Sequence, residues 1–320
     1  MRSRNTFTVL IIVLWSLAPW GGGETYPYNV EALKANPPRT RFEIKNGDIA
    51  GYRYQRHIRT SFTIRNDGTS SENLLRLWVN IFLERTSYQV VTALMASHSG
   101  WLERDERGNG LLLFEIKDLR SYSTKIVTLD MEARIAESAQ QVITDPAIYL
   151  VSEPLIPKDH EKIQGLAKRL KKKTDKETAL GIYQWMGKNI MATGYMREDK
   201  GALYALENLT GDCTEHASLF AALCRANGIP ARVLGGYYCE GSCSSREIFH
   251  MWAEFYADGR WFLVDPMKRH FDDNVTGYRA LENFYSNSSG PLGKQHRYFL
   301  ESSSDNGSAD FNITAEDIIS

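Results

Sequence analysis

The spacing of apolar residues changes character once along this chain. Between about residues 40 and 150 they fall on alternate positions. In the run 75–83, Leu75, Leu77, Val79, Ile81 and Leu83 are all apolar, the period of two expected for a strand with one buried face. Residues 123–135 repeat the pattern, with Val127, Leu129, Met131, Ala133 and Ile135 on one side. Asp67-Gly68 and Gly108-Asn109-Gly110 read as hairpin-type turns between such runs. Several short strands at this spacing predict an antiparallel β-sandwich over residues 24–150.

Asp145-Pro146 and the segment 152–157, with Pro154 and Pro157, interrupt the alternation and read as a linker. Beyond them the period lengthens. Ile163, Leu166, Ala167 and Leu170 lie at helical spacing within 158–173. Thr174 and Glu177 form a capping-box pattern, and Ala179, Ile182, Tyr183, Met186 and Ile190 continue one apolar face. Cys213, Ala217, Phe220, Ala221 and Cys224 share a helix face, stopped by Asn227-Gly228 and Pro230. The segment 249–256 reads as a strand, Asp258-Gly259 as a two-residue hairpin loop, and 260–265 as the returning strand, ended by Pro266. The expected class is α+β, with a second domain over 151–300. From Glu301 the chain is rich in Ser, Asp and Asn, which predicts a loose polar tail over 301–320.

The first residues add a location. Arg2 and Arg4 precede an uncharged, mostly apolar run from Thr6 to Trp20, and Gly21 and Gly23 have the size and spacing of a signal-peptidase site. An export signal over 1–23 is expected, and with it a secreted or periplasmic protein. The run is about fifteen residues, short of the roughly 20 needed to span a bilayer, so an uncleaved anchor is the lesser alternative and the mature chain is expected to have no membrane span. Loss of Arg2 and Arg4 would move the net charge from −1 to −3, which offers no electrostatic case for nucleic acid. The basic run 168–173 falls at a predicted helix C-terminus, where lysine complements the helix dipole.

The candidate chemistry lies in the second half. A cysteine at a helix start faces unpaired backbone N–H groups that favour its thiolate. If Asp258 and Gly259 form the hairpin loop, Ala257 opposes Arg260 and Trp252 opposes Asp265. His250 shares a face with Trp252, so Asp265 becomes its diagonal neighbour, within side-chain reach. Spacing alone therefore predicts a His250–Asp265 pair, and Cys213 joins it as a candidate nucleophile. Cys224, deep in the same helix, reads as an inert core thiol.

Three blocks carry a resemblance. Gly211-Asp212-Cys213 with the run 219–232, His250-Met251-Trp252-Ala253-Glu254, and Trp261-Phe262-Leu263-Val264-Asp265-Pro266 resemble the core of transglutaminase-like proteins over roughly residues 155–270. The resemblance implies a papain-like α+β core with Cys213 as nucleophile, His250 as base and Asp265 as its orienter. The preceding β-rich region is similar, more weakly, to the sandwich domain found before this core in prokaryotic members. Such a protein acts on amide bonds of a protein or peptide substrate through a thioester, resolved by water or by an amine. The rival is a binding protein that uses the sandwich while the triad stays silent.

No cofactor is expected. The four cysteines lack paired zinc-ligand spacing, and Asp272-Asp273-Asn274 is too slight a cluster for calcium. Cys239 and Cys243, separated by three residues, are expected to form a disulfide in an oxidising compartment. Trp185, Tyr195 and Tyr204 are candidates for a second oxyanion donor beside the Cys213 N–H.

Overall fold

A computed structural model describes residues 40–44, 47–105, 107–142, 145–244, 249–284, 296–302 and 310–320. The expected signal over 1–23 lies outside the described residues. Those described fall within one unit, 38–320.

The alternating runs build two antiparallel sheets packed face to face. The larger runs in the order β1 (Thr40–Phe42), β4 (Gln89–Ala96), β7 (Thr124–Ile135), β2 (Tyr54–Asn66), β17 (Phe311–Ile319) and β11 (Cys243–Ser244). The smaller runs β16 (Tyr298–Ser302), β3 (Glu72–Ile81), β6 (Gly110–Leu119) and β5 (Trp101–Arg104). Leu75, Leu77, Val79 and Ile81 from β3 meet Val127, Leu129, Met131 and Ala133 from β7 in one core, as the period of two requires.

A second core lies between a five-stranded sheet and four helices. The sheet order is β14 (His270–Phe271), β13 (Arg260–Asp265), β12 (Phe249–Ala257), β10 (Ala231–Tyr238) and β15 (Tyr278–Asn283). The helices are α1 (Glu161–Leu170), α2 (Asp175–Asn189), α3 (Gly201–Asn208) and α4 (Cys213–Ala226). A parallel pair, β8 (Met191–Ala192) and β9 (Thr210–Gly211), leads into α4. The fold is α+β. The Thr174–Glu177 capping box opens α2 as its spacing predicts. Residues 214–225 of α4 are all buried, not one face alone, because α1, α2, α3 and the sheet all pack around it.

Two expectations are corrected. Asp67-Gly68 does not close a hairpin, since β2 and β3 belong to different sheets. The Asn66 side chain accepts from Gly68 N and donates to the Ser70 carbonyl, turning the chain from one sheet to the other. In the segment 301–320, expected to be a loose tail, the described residues 301–302 and 310–320 are not one. β17 pairs with β2 from Phe311↔Asn66 to Ile319↔Ile58, inside the six-stranded sheet. Ala315, Asp317 and Ile319 are buried at alternate positions. Asp317 is an acid at an inward position, and it is satisfied there by Thr60 Oγ1 at 2.6 Å, Tyr237 Oη at 2.7 Å and the Arg297 guanidinium.

Residues 152–157 are firmly held, and Ile156 is part of the second core. Glu153 pairs with Ile156 in a β-bridge. Its buried carboxylate accepts from Arg107 at 3.2 Å and Arg225 at 2.9 Å. Arg107 lies on the β5–β6 turn and Arg225 on α4, so one carboxylate ties sandwich, linker and helix. Breaking a buried ion pair from one side leaves charge uncompensated. Glu153→Gln should cost about 3–5 kcal/mol of unfolding free energy in urea denaturation; a loss below about 1 kcal/mol would show that the clamp does not hold the parts together.

Candidate active site

The start of α4 is built to a tight specification. Asp212 is the N-cap and accepts from Thr214 N at 2.9 Å, while the Glu215 carboxylate reaches back to accept from Asp212 N at 3.2 Å. A Cβ on Gly211 would lie 2.4 Å from Glu215 Cβ, so only glycine admits this capping box. Cys213 becomes the first helical residue, half-buried and free, with a backbone N–H that no carbonyl inside the helix can meet. Cys224 is free and fully buried, and burial pushes its thiol well above the ordinary range.

The same two carboxylates fix the loop before α3. Met196 N donates to Asp212 Oδ2 at 2.8 Å, and Lys200 N donates to Glu215 Oε1 at 2.8 Å. Tyr195 on this loop is 89% exposed. Tyr204 carries Lys200 over its ring, and Trp185 packs against the core that also borders Cys213.

His250 reaches the site from β12. The β12–β13 register runs from Ala257↔Arg260 to Ala253↔Val264. Asp258 (φ 50°) and Gly259 (φ 78°) form the two-residue loop, both with positive φ, as a type I′ turn requires. Continued one step, this register sets Asp265 level with Trp252 and diagonal to His250. Nε2 of His250 lies 2.5 Å from Asp265 Oδ2, which leaves Nδ1 for the thiol of Cys213. Burial disfavours charge on this ring, but hydrogen bonds to Asp265 and Cys213, together with their charges, outweigh it and raise its pKa to about 9. The structure thus brings Cys213, His250 and Asp265 together.

Asp265 has no solvent exposure. Besides His250, Tyr278 Oη donates to its Oδ2 at 2.8 Å, and Met267 N and Lys268 N donate to Oδ1 at 3.1 and 2.9 Å. Burial alone would raise the pKa of this carboxyl. The hydrogen bond and charge of His250, then the Lys268 N–H and Tyr278, bring it below the ordinary value. Two further motif positions serve the frame. Arg232 and Glu254 face each other across β10 and β12 in a buried 2.6 Å pair, with the guanidinium 4.3 Å over the Trp261 ring.

Glu215 and Tyr278 were absent from the sequence-derived site. The Asp212-Cys213-Thr214-Glu215 pattern is itself a capping-box signature and would have found Glu215. Tyr278 carries no such signal, because its place depends on β15 pairing with β10. Cys239 is disulfide-bonded, and its N–H donates to the Gly277 carbonyl at 2.7 Å. The Cys243 side chain lies outside the described residues. Asp272 accepts from Tyr88 Oη at 2.7 Å and Asp273 from Phe271 N at 2.7 Å. No helix among the described residues is long and apolar enough to cross a membrane.

Residues 164–266 match the sequence profile of the transglutaminase-like superfamily. Kyphoscoliosis peptidase from Homo sapiens is 30% identical over 102 residues, which cover 29% of this chain and 15% of that protein. The Mus musculus protein of the same name is 26% identical over 166 residues, covering 47% of this chain and 23% of that protein. The chain thus spans less than a quarter of the length of these relatives. The crystal structure of a candidate cysteine protease from Cytophaga hutchinsonii superposes with a TM-score of 0.55 at 16% identity, covering 88% of this chain and 92% of that one. The shared fold therefore extends well beyond the matched core.

The raised pKa of His250 has a consequence for stability. A group whose pKa is higher folded than unfolded stabilises the fold fully below the unfolded value and loses that contribution as pH rises through the folded one. The difference in unfolding free energy between the parent and His250→Gln should therefore be largest below about pH 6.5 and shrink by on the order of 2–3 kcal/mol by about pH 9.5. Urea denaturation of both proteins across that range measures it, and a difference that stays flat or grows would contradict the charged pair.

Proposed function

We propose that this chain, whose residues 164–266 belong to the transglutaminase-like superfamily, is an exported thiol enzyme that acts on amide bonds of a protein or peptide. The observation that carries this reading is the His250 ring clamped between the buried Asp265 carboxylate and the Cys213 thiol at the start of α4. The three groups have complementary roles. Cys213 supplies the sulfur, His250 holds the proton removed from it, and Asp265 orients the ring and stabilises its charge.

In the reaction, Cys213 Sγ attacks the amide carbonyl and forms a C–S bond. Negative charge gathers on the carbonyl oxygen, where the Cys213 N–H is one natural donor. The C–N bond then breaks as His250 gives its Nδ1 proton to the departing amine. A thioester remains. Water or a primary amine attacks it, His250 takes a proton from the attacking group, and the thiol is released. Hydrolysis and transfer share every protein group in this sequence and differ only in the second nucleophile. No step requires a cofactor. The organisation proposed with it is a removable signal over 1–23, a sandwich region over 24–150 that β11, β16 and β17 complete from the second half of the chain, and a catalytic region over 151–300, with a disulfide joining Cys239 to Cys243.

Iodoacetamide at about pH 6, below the roughly 8.5 of a free thiol, should label Cys213 well before the buried Cys224. Equal, slow labelling of both thiols would remove the basis for an activated nucleophile.

Turnover is tested with a peptide library, with and without an added primary amine, read by mass spectrometry. Hydrolysis yields free acids or cleaved peptides, and transfer yields amine adducts. Cys213→Ala should abolish either product. Asp265→Asn should keep the fold and lower kcat by roughly 10²–10⁴-fold. Unchanged turnover in Cys213→Ala would refute the mechanism.

A further inference from the structure

Asp265 Oδ2 accepts from two side chains, and the second is not part of the triad. We propose that Tyr278, itself held by His270 and Asn274, is a positioning residue for Asp265. It would fix the direction in which the carboxylate meets His250 and the share of its charge that His250 feels. The kinetic consequences rest on the thiol-enzyme reading above, while the effect on His250 itself does not.

The hydrogen bonds can run in only one direction. An ionised carboxylate accepts and never donates, so the Tyr278 hydroxyl proton, at 2.8 Å, points at Asp265 Oδ2. The phenol oxygen is then free to accept. His270 Nδ1 stands 2.8 Å from it and must carry its proton there. On its other side, Asn274 Nδ2 stands 3.0 Å from His270 Nε2, in position to donate to it. A directed chain results: Asn274 to His270, His270 to Tyr278, Tyr278 to Asp265, with His250 arriving from the other side.

The backbone shows that this placement is imposed. β13 and β14 pair Asp265 with His270 across a short reversal. Within the next few residues Arg269 (φ 66°), Asp272 (φ 57°) and Asn274 (φ 52°) all occupy the left-handed region. Residues with a Cβ visit it at a cost, and Arg269 lacks the short polar side chain that eases it for Asp and Asn. The segment is held by Asp273 accepting from Phe271 N and by Asp272 accepting from Tyr88. It delivers the His270 ring to Tyr278 and Asn274 to the far side of that ring.

The chain is also kept dry where it matters. Tyr278 is buried, between the Trp252 ring at 5.0 Å and the Tyr238 ring at 4.7 Å. Tyr238 also covers His270, at 5.5 Å. Hydrogen bonds between side chains are stronger in such surroundings than in water.

Removing the Tyr278 hydroxyl leaves His250 as the only side-chain donor on Oδ2 among the described residues. The carboxylate is then less neutralised and less firmly aimed. The imidazolium should become harder to deprotonate, and a poorer acid toward the leaving amine.

The test is Tyr278→Phe, with His250 followed by NMR of histidine-labelled protein and its signals assigned through His250→Gln. The expected result is a His250 pKa about 0.5–1 unit above the parent, and a kcat roughly tenfold lower with KM within about twofold, the order of effect for a hydrogen bond to a charged group. His270→Phe removes the donor behind Tyr278 and should move both readouts the same way by less; it carries the test if Tyr278→Phe does not fold. A His250 titration that coincides with the parent's would overturn the proposal, even if thermal stability or kcat fell, because a merely structural role leaves that titration in place. If the parent turned over no amide, the reaction would be misassigned, and the titration would still decide the role of Tyr278.

Discussion

The rest of this structure is organised around one carboxylate that has lost all contact with water. Asp265 is fully buried, and an ionised carboxylate in that position is tolerable only if its oxygens are met by donors. Among the described residues four donors meet it: His250 from β12, Tyr278 from β15, and the N–H groups of Met267 and Lys268. None of these sources can shift far without leaving a buried charge short of a partner. The requirement fixes the β12–β13 register, the reversal after Asp265 and the depth of β15 at once.

The β15 requirement reaches into the sandwich. Leu83 N donates to the Ala280 carbonyl at 3.0 Å, and Ala280 N donates to Gln89 Oε1 at 3.0 Å. Asn80 Nδ2 donates to Glu282 at 2.9 Å. Tyr88 packs with Trp252, Leu263 and Tyr278 in a cluster that belongs to both parts of the molecule, and its hydroxyl accepts from Leu263 N at 3.1 Å. The strand that holds Tyr278 is therefore pinned from the sandwich side. β11, β16 and β17 return from the second half of the chain to complete the two sandwich sheets. On this arrangement the β-rich region is part of the frame that aims the site, and treating it as a detachable binding module is the weaker view.

What could be read in the sequence follows the range of the forces involved. The Asp258-Gly259 loop is local, so it carried the β12–β13 register and with it the approach of His250 to Asp265. The Thr174–Glu177 box and the Asn227-Gly228 stop were local for the same reason. β17 was hidden because its inward positions include Asp317, an acid that looks like solvent-facing chain until Thr60, Tyr237 and Arg297 are seen around it. Asp67-Gly68 has turn chemistry whether the chain pairs back or crosses to another sheet, and only the partner strands distinguish the two. Tyr278 was invisible because its position is set by β10 and by the sandwich, neither of them near it in sequence.

The start of α4 poses a conflict that the structure resolves. Two carboxylates, Asp212 and Glu215, flank a residue proposed to carry negative charge on sulfur, and like charges nearby oppose that. Each is engaged by its own N–H partners. Asp212 is engaged by Thr214 N and Met196 N, and Glu215 by Asp212 N, Lys200 N and Gly201 N. Burial, and then the hydrogen bond shared with Asp212, raise the pKa of Glu215. The acids can therefore cap the helix and anchor the loop that carries Tyr195. The positive end of the helix and the His250 ring are left as the dominant charges facing Cys213. Replacing either acid by a neutral residue would disturb the helix start before it relieved any repulsion, which is why the thiol and its acidic neighbours are compatible here.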